Sequence, residues 1–127
     1  MKLRVARHTN NLEAIENFYC KIIGLDNLGG FQNHDGYDGL FLGKRGLDWH
    51  LEFTKSNQPS VHQPDEDDLL VFYVNDQNEL NDYKRLFAVK KIAVLHSPNP
   101  YWNRNGLVVK DPDGFGVVIC IDPNTRT

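Results

Sequence analysis

Two periodicities organise the chain. Leu12, Ile15, Phe18, Tyr19, Ile22 and Ile23 recur at helical spacing, with Asn10 and Asn11 as candidate N-caps and Glu13 three residues after Asn10, as in a capping box. Gly24 stands where that helix would end. A second stripe, Leu80, Tyr83, Leu86 and Phe87, follows Asp76 as N-cap and Glu79 at the matching capping-box position. Between and around these stripes lie short extended runs: Leu3 to His8, residues 26 to 33, 37 to 43 and 47 to 54, Leu69 to Val74, and residues 91 to 95, 105 to 110 and 115 to 121. Turns at Gly29-Gly30, Asp35-Gly36, Lys44-Arg45-Gly46 and Asp111-Pro112-Asp113-Gly114 punctuate them.

The order strand, helix, strand, strand, strand therefore occurs twice, over about residues 1 to 56 and 66 to 125, joined by a linker at 57 to 65 that carries Pro59, Pro64 and the start of the run Asp65-Glu66-Asp67-Asp68. One module would leave a face of its small sheet uncovered, so the repeat predicts an α+β fold of two βαβββ modules forming one curved mixed sheet around a concave pocket, in a single domain over residues 1–127. Length agrees, since 127 residues make one core.

Composition narrows the class. With 14 Lys and Arg against 17 Asp and Glu, scattered, the net charge of −3 offers no basic patch for nucleic acid. Two cysteines, Cys20 and Cys120, make no disulfide framework and suit a reducing cytoplasm. No stretch reaches the ~18 apolar residues of a membrane span, and the N-terminus lacks the apolar core of a signal peptide. The expectation is a cytoplasmic protein with no nucleic-acid or membrane partner.

The runs Asn11-Leu12-Glu13-Ala14 and Asn17-Phe18-Tyr19-Cys20-Lys21-Ile22-Ile23-Gly24-Leu25 resemble the first helix of the vicinal oxygen chelate (VOC) superfamily, and Gly106-Leu107-Val108-Val109-Lys110-Asp111-Pro112-Asp113-Gly114-Phe115 resembles its closing hairpin. Glyoxalase I, extradiol dioxygenases, and fosfomycin- and bleomycin-resistance proteins belong to it. The resemblance covers both modules and implies a glyoxalase-like fold, a small organic ligand in the concave sheet and a homodimer. It also implies one divalent ion, held by a ligand from the first and last strand of each module. Counted along this chain, those positions fall on Arg4, Glu52, Leu69 and Val118. Only Glu52 can ligate, because a guanidinium has no lone pair to give and the other two side chains carry no donor atom. The expected cofactor is therefore none.

If Glu52 faces the pocket, alternation brings with it His50, then Arg4, Ala6 and His8, then Leu69, Val71 and Tyr73, and finally Gly116, Val118 and Cys120. This is an apolar wall with a few placed polar groups, the usual make-up of a small-molecule site; the plainer reading is that the same residues merely fill the sheet. Tyr101 and Trp102, on a Pro-flanked stretch, could stack on a planar ligand, close a dimer interface or anchor their loop. Ligand-binding candidates are thus Arg4, His8, His50, Glu52, Tyr73, Tyr101, Trp102, Val118 and Cys120. Arg4 opposite Glu52 would put a fixed guanidinium where relatives hold a metal. A different metal set, His8, His50 and Glu52, would suit Fe²⁺, but with Arg4 opposite Glu52 it leaves His8 ~13 Å along the strand.

Two functions follow: a metal-independent binding protein like the bleomycin-resistance branch, or a metal-dependent lyase, isomerase or dioxygenase with Glu52 and His50 as its catalytic candidates.

Overall fold

The computed structural model describes residues 1–125; the single domain expected over 1–127 ends outside the described residues. The chain separates into two compact units, Met1–His62 and Gln63–Thr127.

In the first unit, β1 (Leu3–His8), β2 (Asp26–His34), β3 (Tyr37–Gly43) and β4 (Trp49–Lys55) form a sheet of order β1-β4-β3-β2. β1 runs parallel to β4, and the other neighbours are antiparallel. The helix between β1 and β2 begins as α1 (Leu12–Glu16), capped by Asn11 Oδ1, which accepts from Ala14 N at 3.0 Å, and continues as a π-helical stretch, Asn17–Ile23. Gly24 ends it with φ +97°, a left-handed conformation that glycine adopts freely, and its N–H donates to Tyr19 O at 3.0 Å. The apolar stripe Ile15, Phe18, Tyr19 and Ile23 is buried, as are Leu40, Leu42, Leu51 and Phe53 of the sheet. Tyr19 and Phe53 meet with ring centroids 5.2 Å apart. One helix covers one face, and the residues between these in β3 and β4 point the other way.

In the second unit, β5 (Leu69–Val74), β6 (Gly106–Lys110) and β7 (Gly116–Ile121) form a sheet of order β5-β7-β6, parallel between β5 and β7 and antiparallel between β6 and β7. α2 (Gln77–Val89) starts at Asp76, whose Oδ1 accepts from Glu79 N at 2.9 Å while Glu79 Oε2 accepts from Asn75 N at 2.9 Å. It buries Leu80 and Phe87. The central strand β7 is closed on both sides: Val117, Val118, Ile119 and Cys120 are all fully buried. Asp111 shapes the turn before it, with Oδ1 accepting from Asp113 N and Phe115 N at 2.9 and 3.0 Å.

Two expectations are corrected here. No strand forms over residues 91 to 95; one isolated bridge, Leu95 to Val108, is all that remains of it, so this unit has three strands where four were expected. The stretch around Tyr101 and Trp102 is not a loop but a short helix, α3 (Pro100–Asn105), capped by Asn99, whose Oδ1 accepts from Tyr101 N at 3.1 Å. Asn99 followed by Pro100 is the N-cap and first-turn signature, and it was present in the sequence. Once α3 spans 100–105, β6 begins directly at Gly106, where a Cβ would collide with the Ile119 carbonyl.

Phe53→Ala removes a ring that is 1% exposed and faces Tyr19, and costs about 3–5 kcal/mol in urea unfolding. Tyr73→Ser, at a position 55% exposed, changes stability by less than about 1 kcal/mol in the same experiment.

Cys20 lies on the π-helical stretch. Burial, then the carboxylates of Glu16 and Asp26, push its thiol above the ordinary value, with Lys44 opposing. Because the thiolate is the reactive form, the midpoint of its alkylation rate against pH lies above that of free cysteine, and Glu16→Gln moves it back down. Cys120, fully buried, stays unmodified in the folded protein.

Candidate functional site

The face of the first sheet that α1 does not cover carries the polar candidates. Strand register sets their spacing: Arg4 pairs with His50, Ala6 with Glu52 and His8 with Thr54 across β1 and β4, and Phe41 pairs with Glu52 across β3 and β4. Paired residues share a face, so Arg4, His8, His50, Glu52 and Phe41 all project to one side.

Arg4 is the hub. Its Nε donates to His50 Nε2 at 2.9 Å, its Nη1 lies 3.8 Å from Glu52 Oε2, and its guanidinium carbon stands 5.1 Å from the centroid of the Phe41 ring. Since Nε2 of His50 accepts, the ring proton sits on Nδ1 and points that donor elsewhere. Phe41 also meets His50 edge-on at 5.8 Å, and Phe31 of β2 continues the aromatic row at 5.8 Å from Phe41. Phe31 lies across Gly39, where a Cβ would run into its ring. The Glu52 side chain is 14% exposed and that of Arg4 52%. A carboxylate that deep, with a cation fixed beside it, is a strong local dipole facing away from the helix.

The expected pairing is corrected in detail. Arg4 stands opposite His50 rather than Glu52, and reaches Glu52 diagonally. His8 is then two positions along the strand from the Glu52 register, about 7 Å, not four. It nevertheless stays apart from Arg4, His50 and Glu52: its Nε2 is 3.0 Å from Ser56 Oγ, and its carbonyl receives Ser60 Oγ at 2.9 Å and His62 Nε2 at 2.6 Å. His62, in the linker, is half-buried and ties that segment to the end of β1.

In the second unit, Leu69 pairs with Gly116, Val71 with Val118 and Tyr73 with Cys120, so these residues share a face as alternation requires. Val108, Val118 and Cys120 form a buried apolar cluster against which Leu69, Val71 and Trp102 pack. Trp102 therefore anchors α3 to the sheet. Tyr101, 37% exposed, meets Trp102 edge-on at 5.0 Å, and Tyr73 is exposed. A small cavity of about 210 Å³ opens in this unit between Pro64, Leu95, His96, Ser97, Lys110 and Gly116.

The donor set does not fit the divalent ion that the VOC resemblance implies. In the first unit Arg4 occupies the first-strand position and sets a positive charge 3.8 Å from Glu52; in the second, Leu69 and Val118 offer no donor atom. Among the described residues no three His, Cys, Asp or Glu side chains are grouped so as to hold a metal, and the alternative set His8, His50 and Glu52 is split by the bonds just described.

Family models match both parts of the chain: a YycE-like N-terminal domain over residues 3–54 and a YycE-like C-terminal domain over 67–120. The uncharacterised protein YycE of Bacillus subtilis strain 168 is 38% identical over 118 residues, which span 92% of this chain and 85% of that protein. The crystal structure of a B. subtilis YycE protein of unknown function, provisionally grouped with glyoxalases and fosfomycin resistance proteins, superposes with a TM-score of 0.86 at 37% identity, over 95% of this chain and 89% of that one. Similarity of fold alone extends to the trypanothione-dependent glyoxalase I of Leishmania major, with a TM-score of 0.77 at 17% identity over 98% and 88% of the two chains. It extends likewise to TnmS3, an antibiotic binding protein of Streptomyces sp. CB03234, with a TM-score of 0.69 at 18% identity over 95% and 94%. The chain belongs to the YycE-like family and has the glyoxalase-like α+β fold of the VOC superfamily.

Proposed function

We propose that this protein binds a small organic molecule on the uncovered face of its first sheet, with Arg4 in place of a metal ion. The observation that carries the reading is the Arg4 guanidinium itself, hydrogen-bonded to His50, paired with Glu52 and set beside Phe41. A guanidinium always carries its charge and offers directional donors, so it can hold an oxygen-bearing ligand without the several converging ligands that tight metal binding requires. The aromatic row of Phe41 and Phe31 supplies an apolar surface beside it. By analogy of fold, TnmS3 supports binding as a role that this architecture can serve.

The reading takes His50 and Glu52 as binding residues, with His50 orienting Arg4. It places the protein in the cytoplasm, in keeping with two cysteines that form no disulfide and with no described helix long and apolar enough to cross a membrane, and takes the homodimer from the superfamily resemblance. The competing reading, a metal-dependent lyase, isomerase or dioxygenase, has only the Glu52 carboxylate and the His50 ring to draw on here, and both already face Arg4.

Protein purified without added metal should contain no stoichiometric transition metal by elemental analysis, and calorimetric titration with Zn²⁺, Ni²⁺ or Mn²⁺ should show no one-to-one micromolar site. A small-molecule thermal-shift screen should give hits whose stabilisation, about 2.7 kcal/mol at a hundredfold excess over Kd, disappears in Arg4→Met. A stoichiometric metal, or hits indifferent to Arg4, would overturn the reading.

A further inference from the structure

Arg4, His50 and Glu52 leave polar capacity unspent. Nε of Arg4 is committed to His50, whereas Nη1 and Nη2, the forked end of the guanidinium, donate no hydrogen bond among the described residues. The 3.8 Å approach of Nη1 to Glu52 is too long to be one. Glu52 in turn accepts none among the described residues, although its side chain is only 14% exposed. Its oxygens keep part of their access to water, and a donor on a ligand would replace that partial hydration with a direct hydrogen bond.

The two groups form a fixed pair of opposite charges with a gap between them. A ligand with only a negative group would satisfy the Arg4 fork and be repelled by Glu52 beside it. One with only a positive group would meet the reverse. A ligand carrying both signs on neighbouring atoms satisfies both: its carboxylate takes the forked end of Arg4, its ammonium donates to Glu52, and the four charges alternate around a ring. Both contacts are charge-assisted in a partly dry site, where they count for more than in water. The remainder of the ligand then lies toward Phe41, beside which the guanidinium stands, and Phe31, which Gly39 allows to lie across the sheet. That row of rings matches a flat apolar body.

From this geometry we infer that the site takes an α-amino-acid-type zwitterion borne on an aromatic or other flat apolar group. The inference rests on the ligand-binding reading above and specifies its ligand class. Arg4 and Glu52 are the specificity-determining pair, and His50 is a positioning residue that fixes the rotation of the guanidinium through Nε.

Phenylalanine, 3-phenylpropanoate and 2-phenylethylamine test it, because the latter two each lack one charge of the first. In calorimetric or NMR titration, phenylalanine should bind saturably and about tenfold or more tightly than either analogue, one charge-assisted contact being worth about that factor. Glu52→Gln should erase the advantage of phenylalanine over 3-phenylpropanoate by tightening the latter. Arg4→Met should erase its advantage over 2-phenylethylamine. Arg4→Lys, which keeps the charge and loses the fork, should weaken phenylalanine binding while leaving the thermal unfolding midpoint close to wild type, so that loss of binding is separated from loss of fold. If either one-charge analogue binds as tightly as phenylalanine, the zwitterion inference falls and the ligand-binding reading stands. If none of the three binds while the thermal-shift screen yields Arg4-dependent neutral hits, the outcome is the same. If no compound of either set binds, both fall.

Discussion

A single helix can cover only one face of a sheet, and the first unit is built around that constraint. Ile15, Phe18, Tyr19 and Ile23 bury the inner residues of β3 and β4, among them Leu40, Leu42, Leu51 and Phe53. Alternation then obliges Arg4, Phe41, His50 and Glu52 to project to the opposite side. A slip of one residue in the β1–β4 pairing would send Arg4 into the helix-facing core and Val5 outward, so the apolar face enforces the register that assembles the polar one. The polar cluster is thereby tied to the packing of the side that it does not touch.

Within the cluster each side chain limits its neighbours. The hydrogen bond from Arg4 Nε to His50 Nε2 fixes the guanidinium and also fixes which ring nitrogen of His50 carries the proton. Glu52, deep in the sheet, gains a counter-charge without gaining a hydrogen bond. The energy of the Arg4–Glu52 contact is modest, since half of the arginine side chain is in water and the separation is long. Its consequence is orientation: a guanidinium with its forked end open, beside a carboxylate with its lone pairs open. In the second unit the corresponding face is spent differently. Trp102 from α3 closes over Val108, Val118 and Cys120, so the residues delivered there serve packing.

The membership of this chain in the YycE-like family and its glyoxalase-like fold leave its chemistry to be read from the site, because one architecture carries lyases, resistance enzymes and binding proteins alike. Here the positions at which the superfamily resemblance implies metal ligands hold a guanidinium, a carboxylate paired with it, and two aliphatic side chains. A covalently attached cation suits a different range of ligands from a diffusible one. A metal ion accepts electron pairs from any direction its coordination sphere leaves open, whereas the guanidinium donates in a plane and discriminates by shape.

By itself the sequence determined most of the local structure, because local signals act within a few residues. The caps at Asn11 and Asp76, the left-handed stop at Gly24 and the turn at Asp111 form at the residues that signal them, and every expected extended run except residues 91 to 95 becomes a strand. It also determined which residues share a face, since alternation is a property of the backbone. Tertiary structure decided what local patterning cannot hold: the register between strands more than forty residues apart, which set Arg4 opposite His50 and left Glu52 on the diagonal. It decided that residues 91 to 95 would make one bridge to β6 in place of a strand. It decided too that His8 and His62 would secure the linker rather than join the cluster. Pairing across a sheet is a choice among distant partners, and its energy is counted only when the whole face is assembled.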